Sequence, residues 1–379
     1  MAMPKTLLLT DADVFAGTER HMLDLAEALH SADVPVHIAC PTPSPLAQRS
    51  ELHGIPVVSV PKRGFIDFAA AKQMASLLRA GEIDIIHAHN GRTHLAAAMA
   101  IARAGRGTCI ATQHFLSPSR VGRKGPKAWL SAAAHRWVTR RTARFIAISQ
   151  AVKNEAVSRE PATDRRIHVV LNGIRPPDAA ALRPPGEIRA ALKVAADAPM
   201  IFCAARLQKE KDLQTLVAAM AIVAAAQPAA RCFIAGEGDQ KAGLEEAIRD
   251  GNLAPHVQLL GFRADVLDLM QASDLFVLPS AAEPFGLVIL EAMSLGRPVI
   301  ATRAGGPCEI VDHDRTGLLV TPRDAADLAA GIQRLIGDAA LRERFGAAGR
   351  ARFLQHFTAK RMAAETLAVY HAAMERANV

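Results

Sequence analysis

Residues 280–311 read SAAEPFGLVILEAMSLGRPVIATRAGGPCEIV, and their punctuation predicts loop, helix, strand and loop. Pro284 suits the first turn of a helix, because its φ is preset and its missing N–H is not needed there. Leu287, Ile289, Leu290 and Met293 follow as an apolar run, Gly296 stops the helix, and Pro298-Val299-Ile300-Ala301 resumes as a buried strand. The backbone N–H groups of Phe285, Gly286, Leu287 and Val288 would then lack intrahelical partners at the positive end of the macrodipole, a setting that suits a phosphate. Glu283 and Glu291 frame the same helix start. A carboxylate touching the phosphate would be repelled, so the economical reading has both glutamates accepting hydrogen bonds from hydroxyls, such as those of a sugar and a ribose. Taken alone, two glutamates at this spacing could equally be exposed charges on an ordinary core helix.

Outward from this stretch, the chain alternates strands and helices. In the first half, strand-like runs fall at 6–10, 34–40, 56–60, 83–88, 108–112, 144–148 and 168–171. Helical patterns lie between them at 19–31, 68–80 and 95–104. Such alternation implies a parallel sheet wrapped by helices, with ligands at the carboxyl ends of the strands. Pro176-Pro177 and Pro184-Pro185 read as a linker. The alternation restarts with strands at 200–205, 233–235, 257–260 and 274–279, and helices occupy 324–337, 339–357 and 358–376. With 379 residues the chain is long enough for two domains. We expect them at 1–174 and 175–357, with the helix in 358–379 packing back on the first.

Composition excludes several classes. Half the residues are hydrophobic and 22% are charged, which suits a globular protein with an ample core. The five cysteines are scattered without a CxxC pair, so free thiols are expected rather than disulfides or a zinc site. No apolar run approaches the ~20 residues of a spanning helix, and no secretory leader is apparent, so a cytoplasmic protein is expected. Net charge is +8. No Asp or Glu occurs from residue 120 to 153, where Arg120, Arg123, Lys124, Lys127, Arg136, Arg140, Arg141, Arg144 and Lys153 interleave with Trp129 and Trp137. A basic, tryptophan-bearing helix suits an anionic membrane surface, with Arg123, Lys124, Lys127 and Trp129 as contacts. A solvated face or a nucleic-acid patch are the alternatives, and no nucleic-acid motif accompanies the charge.

The spacing of Glu283 and Glu291, with EPFG at its head and EAMSLGRPVIAT at its tail, resembles the paired-glutamate motif E-x7-E of the retaining glycosyltransferases of family 4. That resemblance implies the α/β GT-B fold, two Rossmann-like doubly wound parallel-sheet domains facing across a cleft. It implies transfer of a hexose-type sugar from a nucleoside diphosphate sugar to a hydroxyl acceptor, without a metal or other cofactor. UDP-sugars are favoured over GDP-sugars, and cell-envelope glycan or glycolipid assembly is the expected setting. Arg206 and Lys211 match the family's basic pair on the donor diphosphate, a role their chemistry suits. Gly17 matches the second glycine of a phosphate-side loop whose first glycine is here Ala16, and Arg263 follows a strand end where the base is held. Phe285, Gly286, Leu287, Val288 and Glu291 complete the donor side, while His114 and Glu283 fall at the reaction centre.

Other polar residues are read more plainly. His87 and His89 lie at i and i+2 of a strand and so share a face, but no third ligand is evident in the sequence nearby, which argues against a metal. With Asn90 they are expected to line a cleft wall near acceptor or donor. Asp11 and Asp13 imitate a metal-binding DxD that belongs to a different architecture, and capping is the better reading here. Two other functions stay open: an epimerase or hydrolase acting on the nucleotide sugar, and a non-catalytic basic protein binding membrane or nucleic acid.

Overall fold

The computed structural model describes residues 3–60, 67–116 and 126–375, with the backbone alone for 126–131 and Ala162. The chain divides into one unit of residues 1–175 with 358–379 and a second of residues 176–357.

The first unit is built on strands β1 (Thr6–Leu9), β2 (Val36–Cys40), β3 (Val57–Ser59), β4 (Ile85–Ala88), β5 (Thr108–Gln113), β6 (Arg144–Ala147) and β7 (Ile167–Val169). They form one seven-stranded sheet in the order β3-β2-β1-β4-β5-β6-β7. All pairs are parallel. A parallel sheet needs both faces covered, and the central strands β1, β4 and β6 are accordingly buried along their whole length. The helix Gly17–His30 covers one face because Met22, Leu25, Ala26 and Leu29 recur at helical spacing and are buried. The other face takes Phe68–Ala80 and Gly91–Ala104, with Met74, Leu78 and Ala97 in its core. The last helix, Ala359–Glu375, joins the first face through Met362, Val369 and Tyr370. Arg144 in β6 donates from Nη2 to the Ala372 carbonyl on that helix, at 3.1 Å.

The second unit contains β8 (Met200–Ala204), β9 (Arg231–Ala235), β10 (Val257–Gly261), β11 (Leu275–Leu278), β12 (Val299–Thr302) and β13 (Gly317–Val320). Their order is β10-β9-β8-β11-β12-β13, again with every pair parallel. The helix Ala325–Gly337 shows how sequence sets an element here. Asp324 caps it by accepting from the amides of Ala326 at 3.0 Å and Asp327 at 2.9 Å. Leu328, Ile332 and Leu335 then fall on one buried stripe, each contributing about 1.5–3 kcal/mol by leaving water.

All five cysteines are free, and burial pushes the Cys109 and Cys203 thiols up to about 12. Among the described residues, no helix is long and apolar enough to cross a membrane.

Candidate active site

In both sheets the chain winds one way from the central strand and then the other, so the loops after two neighbouring strands diverge. This happens between β1 and β4 in the first unit and between β8 and β11 in the second. Crevices at such switch points are where open α/β sheets bind ligands.

In the second unit the loop after β8 runs through a short turn, Lys209–Lys211, to the helix Leu213–Ala226. The loop after β11 runs from Pro279 to Gly286. The Ala281 amide donates to the Glu210 carbonyl at 2.9 Å and so ties the two loops together. Across them, Lys211 Nζ donates to Glu283 Oε2 at 2.6 Å, and Ser280 Oγ donates to the same oxygen at 3.0 Å. The Lys211 and Glu283 side chains are only 16% and 8% exposed. Thus two groups expected on separate parts of a ligand are paired with each other. In so little water, leaving either charge alone would cost several kcal/mol.

The loop after β12 supports this floor. The Gly306 amide donates to the Glu283 carbonyl at 2.9 Å, and Glu283 and Gly305 form an isolated parallel bridge. A Cβ on Gly306 would lie 2.3 Å from Phe285 Cα, so only glycine lets these backbones meet.

The helix expected from Pro284 begins later, at Leu287. Gly286 has φ 105°, a left-handed conformation that breaks the helical path before it starts. Phe285 is therefore a loop residue, 1% exposed and packed edge-on against Phe357. Ile289 N–H donates to the Gly286 carbonyl at 2.9 Å. The amides of Leu287 and Val288 find no acceptor among the described residues. Glu291 sits half-buried one turn into this helix.

Arg206 is 60% exposed and only loosely paired with Glu210, at 3.3 Å. Arg263 is held more firmly. Its Nε and Nη2 donate to the two oxygens of Asp265 at 2.7 and 2.6 Å. The Arg263 hydrogen bonds hold the Asp265 carboxyl below its ordinary range, and Arg183 adds to that. Arg263 is thus engaged in a local ion cluster, whereas its neighbour Phe262 stands 76% exposed.

The first unit's switch point is closed on itself. Asp11 accepts from Asn90 Nδ2 at 2.8 Å and from Arg92 Nε at 2.7 Å. Asn90 in turn caps the helix Gly91–Ala104, accepting from the amides of Arg92 at 3.1 Å and Thr93 at 3.0 Å. Both ends of the Asn90 amide are therefore engaged in the fold. Gly17 opens its helix, and Glu19 reaches back to accept from the Ala16 amide at 3.1 Å. Burial raises the Glu19 carboxyl above its ordinary value, with the Glu19 and Ala16 amides opposing.

His87 is fully buried between Tyr370, whose hydroxyl is 2.8 Å from Nδ1, and Thr112, 2.6 Å from Nε2. With both nitrogens satisfied it serves the core. His89 and His114 instead face each other, Nδ1 to Nε2, at 3.0 Å. His21 joins them, although no third imidazole was expected beside the His87 and His89 pair. The sequence signal for it was slight: an imidazole one turn into the first helix, on the stripe that Leu25 continues into the core. Burial holds His114 and His89 well below the usual imidazole range, His87 at about 3 and His21 at about 4. All four are neutral at pH 7.

Of the proposed membrane contacts, Arg123 and Lys124 and the side chains of Lys127 and Trp129 lie outside the described residues. Within the described part of the basic run, Arg144 is buried and clamps the last helix, while Arg141 stacks on Trp137 at 4.1 Å.

Residues 186–352 match the family model for glycosyl transferases group 1, and residues 15–176 that for glycosyltransferase family 4. An uncharacterized glycosyltransferase of Methanocaldococcus jannaschii is 30% identical over 307 residues, which is 79% of this chain and 78% of that protein. A glycogen synthase of Mycobacterium tuberculosis is 29% identical over an alignment covering 95% of this chain and 92% of the relative. The lipopolysaccharide core biosynthesis glycosyltransferase LpsE of Rhizobium meliloti is 31% identical over 45% of this chain and 49% of its own. Among solved structures, Anabaena HepE in complex with UDP-glucose superposes with a TM-score of 0.83 at 26% identity, over 98% of this chain and 100% of that one. Two doubly wound parallel-sheet units and these relatives lead to one conclusion: the chain belongs to the GT-B glycosyltransferases of the family 4 type, and it is a glycosyltransferase.

Proposed function

We propose that this enzyme transfers a sugar from a UDP-sugar to a hydroxyl of a glycan or lipid-linked acceptor, with retention at the anomeric carbon and without a metal. We place the reaction on the cytoplasmic side of the cell membrane, in envelope glycan or glycolipid assembly. The observation that carries the donor half is the buried Lys211–Glu283 pair beside the open amides of Leu287 and Val288. A nucleoside diphosphate sugar offers each member of that pair a replacement partner. Lys211 turns to the diphosphate, and Glu283 accepts from the sugar hydroxyls, so neither charge is left alone. Arg206 swings in on its exposed side chain, and the two helix amides complete the cationic shell that a metal would otherwise supply. Glu291 accepts from a ribose hydroxyl.

The chemistry then needs no protein nucleophile. The bond from C1 to the phosphate oxygen breaks, and the acceptor oxygen bonds to C1 on the same face. The acceptor's proton passes to the departing phosphate. His114, kept neutral by burial, offers a hydrogen bond at the reaction centre without adding charge. UDP is favoured because the HepE complex holds UDP-glucose, and the LpsE likeness supports a lipid-linked acceptor. The glycogen synthase likeness supplies the competing case, an acceptor in solution.

Turnover of UDP-sugars should survive EDTA. Loss of activity restored by magnesium or manganese would return Asp11 and Asp13 as ligands and end the metal-free reading. The acceptor side is tested by sedimentation with anionic and neutral vesicles at low and high salt. Each Lys or Arg near an anionic surface contributes about 1 kcal/mol, so wild type should sediment with anionic lipid at low salt only. Replacing Arg123, Lys124 and Lys127 with Ser should release it while UDP binding persists. Wild type that stays in the supernatant with both lipids at low salt directs the search to soluble acceptors.

A further inference from the structure

Three imidazoles converge in the first unit from separate elements. His21 comes from the first turns of the helix Gly17–His30, His89 from the exit of β4, and His114 from the exit of β5. Each offers a ligand nitrogen within 4.8 Å of the others. Ring centroids are 4.8 Å apart for His21 and His114, 5.3 Å for His89 and His114, and 5.4 Å for His21 and His89. Three imidazoles bound at about 2.0–2.1 Å to one tetrahedral ion hold their nitrogens roughly 3.4 Å apart. Small ring rotations would reach that spacing.

The cluster lacks partners that would explain it as ordinary core. Among the described residues, neither nitrogen of His21 has a hydrogen bond, and His89 Nε2 has none either, although the rings are 3% and 1% exposed. Asn172 lies beside His21 and opposes the lowering of its pKa, but its Oδ1 and both His21 nitrogens fall outside hydrogen-bonding geometry. Orphaned nitrogens at this depth are costly and rare. His87 is the contrast: equally buried, it has both nitrogens bonded. Burial also keeps the three rings in the neutral form whose lone pairs a metal needs. No carboxylate belongs to the cluster among the described residues, so the donor set favours zinc, cobalt, nickel or copper over magnesium, calcium or manganese.

We propose that His21, His89 and His114 form a binding site for one zinc-class divalent ion within the first unit. The fourth position would take water or an anion, as in open three-histidine sites. Because His114 is also our candidate at the reaction centre, the ion would inhibit turnover rather than support it. Activity would then survive EDTA and fall when zinc is added.

Cobalt titration of the metal-free full-length protein tests the site without reference to activity. We expect the visible bands of tetrahedral cobalt, saturating at one ion per chain and displaced by zinc. His21→Leu removes one ligand and should weaken binding by at least about tenfold. His30→Gln, altering an exposed imidazole, should leave it unchanged. A thermal shift with UDP reports separately whether each variant is folded and whether the nucleotide reading stands. Absence of tetrahedral bands in wild type overturns the proposal, even if His21→Leu fails to fold. Equal cobalt affinity in wild type and a folded His21→Leu also overturns it, and assigns the binding to surface histidines.

Discussion

The two units share one winding and differ in what stands at the point where it reverses. Between β8 and β11 the loops are pinned by backbone contacts. The charges there, Lys211 and Glu283, are bound, among the described residues, to each other and to Ser280. Between β1 and β4 the polar groups are tied into the scaffold: Asp11 to Asn90 and Arg92, Asn90 to a helix cap, Glu19 to the Ala16 amide. The first arrangement can exchange partners for a ligand, while the second would have to break its own fold to do so. Topology supplies two equivalent crevices, and side-chain bookkeeping decides which one is electrostatically ready.

The sharpest way to break this comparison is to remove the exchangeable charge. Lys211→Ala should lower kcat/KM for the UDP-sugar by on the order of 100- to 1000-fold. It should also lower thermal stability, because Glu283 is left buried and unpaired. Steady-state kinetics beside a melting curve would show both, and turnover within twofold of wild type would remove Lys211 from the donor site. The matching change at the first unit's switch point, Asn90→Ala, should cost about 1 kcal/mol of stability through the lost cap.

Backbone fit offers the next contrast. Gly306→Ala places a Cβ 2.3 Å from Phe285 Cα, whereas a Cβ on Gly91 meets nothing within 4 Å. Denaturant unfolding should find Gly306→Ala destabilised by about 1–3 kcal/mol and Gly91→Ala unchanged within about half a kcal/mol. Similar values for the two would mean that the floor under Glu283 is not held by close backbone contact.

A smaller effect is expected from Glu291→Ala, which would remove the single hydrogen bond to ribose proposed above. Calorimetric titration should show UDP and GDP weakened alike by roughly tenfold, about 1.4 kcal/mol. Unchanged affinity for both would take Glu291 out of the site.

An effect that appears only in acid is expected from buried imidazoles in the first unit. His94 is fully enclosed, with Nε2 2.6 Å from Thr142 Oγ1. Burial lowers it to about 3, with His135 adding to the shift. Its unfolded value is near 6.5, so between those limits the unfolded chain binds the extra proton. Its contribution to stability is therefore complete above pH 6.5 and is lost as pH falls from 6.5 towards 3, at up to about 1.4 kcal/mol per pH unit. Melting curves from pH 7.5 to 4.5 should slope less in His94→Phe than in wild type. Parallel slopes would exclude His94 as a source.

How far the sequence carried the reading depended on range. Apolar runs bounded by turns marked all seven strands of the first unit, because a parallel strand buried on both faces has a plain signature. Gly317–Val320 escaped, since a four-residue run beside two polar turns carries no distinguishing period. Pro284 gave too early a helix start because the conformation of Gly286, φ 105°, is set by the loop contacts around it. The pairing of Lys211 with Glu283 joins residues 72 positions apart, and that of His89 with His114 spans 25. No local pattern could announce either pairing.

The last helix carries a consequence for the order of assembly on the ribosome. Residues 176–357 form the second unit as one contiguous segment. The first unit is not contiguous: His87 Nδ1 waits for the Tyr370 hydroxyl, and Arg144 for the Ala372 carbonyl. The face of Gly17–His30 that receives Met362, Val369 and Tyr370 also stays uncovered until they emerge. The half of the enzyme that is synthesised first is therefore completed last, and a ribosome that stops near residue 357 would leave a finished second unit joined to an unfinished first. Such a fragment would expose an apolar helix face and a buried imidazole without its partner, features by which quality control recognises incomplete chains.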